Sequence, residues 1–307
     1  MTAAPDDAAP PRRTRRPRLV AVLPTLLTLG NAACGFAAVT VAAKVEAVGL
    51  GEVPASAADA AAGTHLFVAA VLIFAAMIFD AFDGSAARLL GQNSELGAQL
   101  DSLCDAVSFG VAPAFLMLQL VNHPFEGQDA LAFRWPGRVV WGAAVLFVLC
   151  AILRLARFNV ETDEEDDHST FRGLPSPAAA ATVASVPLVM RGLLQLQEQA
   201  RGWDVAAGWT DDLAAWLIAL VRIALPVVTL AAAGLMVSPV LYPHVVNRAV
   251  RGREKPWFVV KVLFAGVAAV VFREFAVPLV AFWFAFSHPL RTLLRREPAA
   301  RPATPAG

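Results

Sequence analysis

Four aspartates stand where carboxylates are costly. Asp80 and Asp83 close one long apolar run, and Asp101 and Asp105 sit near the start of another. Ionisable side chains in or beside hydrocarbon default to a functional reading. The stretch runs Asp80-Ala81-Phe82-Asp83-Gly84-Ser85-Ala86-Ala87-Arg88, then Leu89 to Leu96, then Gly97-Ala98-Gln99-Leu100-Asp101-Ser102-Leu103-Cys104-Asp105. On a helix, steps of three or four residues return to one face. Asp80, Asp83, Gly84, Ala87 and Arg88 therefore form one stripe, and Gly97, Asp101 and Asp105 form another. The linker is short, so the two helices should run antiparallel with the stripes facing. Carboxylates converging in a medium of low dielectric repel one another unless a cation lies between them. Hard divalent ions with oxygen ligands (Mg²⁺, Mn²⁺ or Ca²⁺) meet that need. No His or Cys pair joins the cluster, which disfavours soft metals. Gly84, Ala87 and Gly97 leave room for a ligand or for close helix contact. Arg88 adds a permanent cation suited to phosphate. Metal, small residues and arginine together describe a pyrophosphate cradle.

The elements that hold these residues are membrane spans. Of the 307 residues, 57% are hydrophobic and 16% are charged, against about 25% charged in a soluble protein. Lys plus Arg and Asp plus Glu each number 25, giving zero formal net charge. That balance disfavours an electrostatic nucleic-acid binder and a disordered chain. Cys34, Cys104 and Cys150 lie apart in apolar runs, which suits plain packing rather than a disulfide framework or a zinc site. The expected class is an all-α, polytopic transmembrane helix bundle.

A span needs about 20 apolar residues. About eight are expected, near 19–43, 66–87, 97–121, 138–158, 177–195, 213–236, 257–272 and 275–288. The last two are short, separated by Arg273 and Glu274, and form a tight hairpin or one irregular element. The expected organisation is a disordered or surface-bound basic tail over 1–18, a catalytic transmembrane domain over 19–236, a C-terminal hairpin over 237–290 and a cytoplasmic tail over 291–307. No secretory signal is recognised in the Pro/Ala/Arg-rich opening. Positive loops stay cytoplasmic. With the N-terminus inside, the cytoplasmic side receives the Arg12–Arg18 cluster, Arg88, Arg154, Arg157, Arg172, the Arg248–Lys255 cluster and the Arg291–Arg301 cluster. The outer side receives Lys44, Arg134, Arg138, Arg191, Arg201 and Arg273. Both termini should be cytoplasmic, and the aspartates should lie at the cytoplasmic rim of an inner or plasma membrane.

The pattern Asp80-x-x-Asp83-Gly84-x-x-Ala87-Arg88, eight residues, Gly97-x-x-x-Asp101-x-x-x-Asp105 resembles the complete signature of the CDP-alcohol phosphotransferase superfamily. Other stretches resemble one branch, the bacterial membrane-integral phosphatidylserine synthases. These are Leu23 to Asn31 with Cys34-Gly35-Phe36, Leu100 to Pro113, Arg154-Leu155-Ala156-Arg157-Phe158-Asn159, and Phe171 to Pro177. Thr25 departs from the Asn usual after that proline. The resemblance covers roughly Leu23 to Ala184 and implies a six-helix catalytic core.

It also implies a chemistry: transfer of a phosphatidyl group from CDP-diacylglycerol to the hydroxyl of L-serine, with release of CMP. By the same resemblance, Asp80, Asp83 and Asp101 hold a divalent cation, Mg²⁺ or Mn²⁺, and Asp105 bridges to it and acts as general base. Thr28, Asn31, Gly84, Ala87, Arg88, Gly97 and Ser102 are the expected nucleotide and diphosphate contacts. Thr28 and Asn31 suit interhelical packing as well. Arg154, Arg157 and Asn159 are the expected serine contacts, and the two arginines equally suit snorkelling anchors at the membrane surface. A homodimer follows from the resemblance alone.

Two alternatives stand beside this reading: a sibling enzyme using glycerol 3-phosphate or an inositol phosphate, and a divalent-cation transporter. The latter is disfavoured by aspartates gathered at one rim and by the lack of an evident inverted repeat. The acidic run Glu161 to Asp167 reads as a solvated loop, and Phe171 to Pro177 as a lid over the site mouth. His65, His123, His244 and His288 suit interfacial positions near span ends. Arg222 falls inside the sixth span, where sequence names no partner for it.

Overall fold

The computed structural model describes residues 18–48, 55–90, 95–125, 133–161, 170–201, 207–243 and 273–294. Helices dominate, because in hydrocarbon every backbone polar group must be satisfied within the chain. α1 is Arg18–Val48, α2 is Ala55–Leu90, α3 is Glu95–Asp105 and α4 is Ala112–Asn122. α5 is Gly137–Glu161, α6 is Ser176–Ala184, α7 is Val186–Arg201, α8 is Ala207–Val237 and α9 is Arg273–Leu294. Among the described residues, six segments are long and apolar enough to span a membrane: 22–46, 57–86, 95–122, 137–160, 176–195 and 215–237. These match the first six expected spans. The expected seventh, 257–272, and the hairpin it would form lie outside the described residues. The expected eighth falls within α9, whose apolar stretch Phe275–Leu290 is shorter than the others. The chain is thus a multi-pass membrane protein, with six candidate spans among the described residues.

Two spans are not continuous α-helices. α3 passes into a π-helical segment, Ala106–Val111, before α4 resumes. There the Ala112 N–H bonds the Val107 carbonyl, five residues back. Pro113 follows immediately, with no N–H to donate and a ring that crowds the carbonyl four residues back, so a widened turn relieves the strain. The fifth span breaks into α6 and α7 at Ser185, two residues before Pro187. Both breaks were hidden in hydrophobic runs that read as uniform.

α1 and α2 form a long hairpin. Gly30 sits against the Phe79 ring, where a Cβ would approach to 3.0 Å. Small residues let these helices close, since apolar burial against lipid supplies little drive in a bilayer. The buried core includes Ala69, Ala70 and Ile73 of α2, Met117 and Leu120 of α4, Phe147 of α5 and Leu225 of α8.

Two short strands add to the helical plan. β1 (Thr170–Arg172) pairs antiparallel with β2 (Leu241–Pro243), Phe171 opposite Tyr242. Gly173 follows at φ +83° against the Met236 carbonyl, so a side chain there would be strained and obstructed. Its N–H bonds the Val240 carbonyl at 2.8 Å, and the Leu174 N–H bonds Leu235 at 2.9 Å. The segment read as a lid is therefore stitched to the C-terminal end of α8. Most of the acidic run, 162–169, lies outside the described residues, as does His244.

The end of the bundle away from the aspartates holds Arg222. Its guanidinium donates to the carbonyls of Val121 and His123 at 2.6 and 2.8 Å, at the C-terminus of α4. A cation suits that end of a helix dipole, which explains an arginine within a span. His123 also lies 3.1 Å from the Asp59 carboxylate. Nearby, Arg191 stacks over Phe67 at 4.1 Å. Cys34, Cys104 and Cys150 are all free thiols.

Candidate active site

The site is assembled at one rim of the bundle. The C-terminal half of α2 delivers Asp80 and Asp83, and α3 brings Asp101 and Asp105 back beside them. α1 contributes Thr28 and Asn31 from its middle, α5 contributes Arg154 and Asn159 near its end, and α6 begins at Ser176. Because α1 and α5 pack against the α3–α4 span, residues far apart in sequence meet at one depth.

Asp80, Asp101 and Asp105 form the tightest group: one carboxylate oxygen from each lies within 4.8 Å of the others. Three like charges at that spacing repel by about 3 kcal/mol per pair in a medium of effective dielectric near 20. Such an arrangement is tolerated when a cation lies between the oxygens. An all-carboxylate donor set is the hard-oxygen environment that Mg²⁺, Mn²⁺ and Ca²⁺ prefer. The residues fit a divalent cation.

Asp83 is buried at 7% exposure and takes a different contact. The Thr28 hydroxyl lies 3.0 Å from the Pro24 carbonyl and also meets an Asp83 carboxylate oxygen. One hydroxyl proton serves only one acceptor at a time. Thr28 thus ties α1 to the end of α2 whichever it chooses.

Asp105, 8% exposed, is held by Asn31, whose side-chain N–H donates to its carboxylate at 2.9 Å. Asn31 is fully buried. Its own side-chain oxygen has no hydrogen-bond donor among the described residues. A buried polar atom left so costs about 1–3 kcal/mol, and native structures keep few of them.

Among the described residues, Arg154 is a cation that acts electrostatically on Asp105. One of its terminal nitrogens donates to the Ser176 hydroxyl at 2.6 Å, while its Nε is buried with no acceptor among the described residues. Ser102 and Asn159 are mutually bonded at 3.0 and 3.1 Å. They link the α3 stripe to the end of α5. Arg157 lies one turn from Arg154, with its side chain exposed and otherwise engaged.

Gly84 lies on the aspartate stripe, and a Cβ there would meet nothing within 4 Å among the described residues. Among the described residues it borders open space rather than a helix contact. Gly97 stands one turn before Asp101. Ala87 and Arg88 occupy the last turn of α2, and their side chains lie outside the described set.

Four residues of the site were not expected from sequence in these roles. Ser176 receives Arg154, Ser108 reaches Asn31, and Thr28 and Asn31 touch carboxylates. For Ser108 and Ser176, the family resemblance of the stretches Leu100 to Pro113 and Phe171 to Pro177 was the signal that pointed to their neighbourhood. Beside the site lies an apolar cavity of about 460 Å³ between α2, α6 and α9, lined by Phe74, Met77, Pro177, Ala181, Val280 and Phe284 among others.

A family model described as CDP-alcohol phosphatidyltransferase matches residues 21–211, more than half of the chain and all of the residues above except the α9 wall. The chain belongs to the CDP-alcohol phosphatidyltransferase family. Among curated proteins, this family member is 38% identical over 146 residues to the CDP-diacylglycerol–serine O-phosphatidyltransferase of Mycobacterium tuberculosis, covering 46% of this chain and 44% of the relative. It is 40% identical over 123 residues to the protein so named in Helicobacter pylori, covering 40% and 47%. A relative named archaetidylserine synthase, from Methanothermobacter thermautotrophicus, is 41% identical over 122 residues, covering 39% and 46%. The matched segments span less than half the length of these curated relatives.

Proposed function

We propose that the protein transfers a phosphatidyl group from CDP-diacylglycerol to the hydroxyl of L-serine, giving phosphatidylserine and CMP. The observation that carries this reading is the convergence of Asp80, Asp101 and Asp105 within 4.8 Å, inside a segment matched by the family model. The names of the relatives support L-serine as acceptor.

Asp80, Asp83, Asp101 and Asp105 are the residues that would hold the divalent cation, Mg²⁺ or Mn²⁺. Such an ion supplies neutralisation of charge on the diphosphate and on the departing CMP. The remaining work falls to the protein. Asp105 accepts the proton of the serine hydroxyl. The serine oxygen then forms a bond to the β-phosphorus as the bond to the CMP oxygen breaks, and CMP leaves with that electron pair. A hydroxyl is a weak nucleophile until a base activates it, which gives the buried carboxylate its task. Arg154, with a buried Nε free of protein acceptors among the described residues, is placed to bind the serine carboxylate near Asp105. Arg157 and Asn159 complete that pocket. Gly84, Ala87, Arg88, Gly97 and Ser102, with Thr28 at the Asp83 side, form the nucleotide and diphosphate cradle. The apolar cavity beside α9 receives an acyl chain of the donor. The site faces the cytoplasm, both termini lie on that side, and the protein works as a homodimer. Residues 19–236 form the catalytic domain, and 237–290 an added C-terminal unit.

A sibling acceptor such as glycerol 3-phosphate or an inositol phosphate brings an extra phosphate and should require more cations than Arg154 and Arg157 around its pocket. Cation transport fits poorly with carboxylates confined to one rim.

Asp105→Asn tests the assignment of the base. It should keep measurable Mn²⁺ binding and lower the rate of CMP release by at least about 10²–10⁴-fold, the range attributed to general base catalysis. Normal turnover in this variant would remove Asp105 from the mechanism.

A further inference from the structure

We propose that Asn31, Ser108 and the π-helical turn together form a positioning device for Asp105, so that Asn31 serves the base rather than the nucleotide. The inference rests on the reading of Asp105 as general base.

The geometry forms a closed path. Asp105 is the last residue of α3, and the π-helical turn begins at the next residue. Ser108 lies on that turn, fully buried, and its hydroxyl donates to the backbone carbonyl of Asn31 at 2.9 Å. The side chain of the same Asn31 donates back to Asp105 at 2.9 Å. One residue of α1 is therefore gripped through its main chain by the turn that follows the base, and grips the base through its side chain. Gly35, one turn further along α1, makes the approach possible. A Cβ there would collide with the side chain and the Cα of Ser108.

A carboxylate at the end of a regular α-helix keeps rotameric freedom. Here the widened turn lets α1 come close enough for both bonds, so Asp105 presents one oxygen to Asn31 and leaves the other for its reaction partners. π-helical turns are rare and concentrate at functional sites. Asn31 also gains little as a purely structural residue, because its buried side-chain oxygen has no donor among the described residues. The arrangement fixes orientation, for which misplacement by about 1 Å costs about 10²-fold in rate.

Asn31 and Ser108 are positioning residues in this account, and kinetics separate that role from packing or nucleotide binding. The full-length protein is assayed in nanodiscs with saturating divalent cation, using Asn31→Leu, Ser108→Ala and the double variant. Asn31→Leu should lower kcat by about 10–100-fold, with KM for CDP-diacylglycerol and for serine each within about threefold. Ser108→Ala should lower kcat by a smaller factor, and should add nothing once Asn31 is replaced, since both act through one path. Asn31→Ala replaces Asn31→Leu if the larger side chain prevents recovery of monodisperse protein. Unchanged kcat in either single variant, multiplicative losses in the double variant, or a loss expressed mainly as raised donor KM would each overturn the inference. Unaltered protein that releases no CMP with any acceptor would instead defeat the functional reading beneath it.

Discussion

At the scale of single residues, the site divides between carboxylates that gather and polar groups that hold them. Asp80, Asp101 and Asp105 share one focus, while Asp83 is tied to Thr28. This division predicts unequal effects. Chelation should abolish turnover, and added Mg²⁺ or Mn²⁺ should restore it; activity that survives exhaustive chelation would argue against a cation in the site. At the acceptor pocket, Arg154→Ala should raise the serine KM at least tenfold while moving the donor KM much less. Equal increases in both would return Arg154 to an anchoring role. Of these residues, the aspartates were legible in sequence because helical periodicity alone puts them on facing stripes. The contacts of Asn31 and Thr28 were not, since i, i+3 spacing on α1 says which face they share but not what that face meets.

Elements show where apolar sequence loses its information. The first six spans were readable from length and hydropathy. The π-helical turn after Asp105 and the break at Ser185 were not, because Pro113 and Pro187 sit in runs whose hydropathy is unbroken. Proline signals that a helix must adjust, yet whether it kinks, widens or divides depends on the neighbours. The same limit applies to the Phe171–Pro177 segment, whose pairing with β2 depends on a partner some seventy positions away. Gly173 carries that connection, and Gly173→Ala should lower the thermal midpoint measurably, since it combines positive φ with collision at the Met236 carbonyl. An unchanged midpoint would contradict the stitched arrangement. α9 gains a role from the cavity it closes. Ala281→Phe, on the cavity wall, should raise the KM for long-chain CDP-diacylglycerol by at least threefold and leave a short-chain donor nearly unaffected. Equal effects on both donors would exclude an acyl chain from this cavity.

For the whole molecule, zero net charge averages over unlike regions. On the expected topology its arginines and lysines sort by side of the membrane, and Asp80, Asp101 and Asp105 meet at one end of the bundle. The family follows from residues 21–211, and the α-helical class follows from hydropathy. The choice of acceptor rests on few groups, chiefly Arg154 with its buried unpartnered Nε. Topology is testable separately: a fluorescent reporter fused at the C-terminus should be active in the cytoplasm, and an exported reporter there would reverse the orientation. The most direct measurement is CMP release by the purified protein in lipid nanodiscs. It would contain CDP-diacylglycerol and Mn²⁺ or Mg²⁺, with L-serine, glycerol 3-phosphate and inositol phosphate offered in turn. The account predicts rapid release with L-serine alone and phosphatidylserine as co-product. Release only with a phosphorylated acceptor, or none with any acceptor, would contradict it.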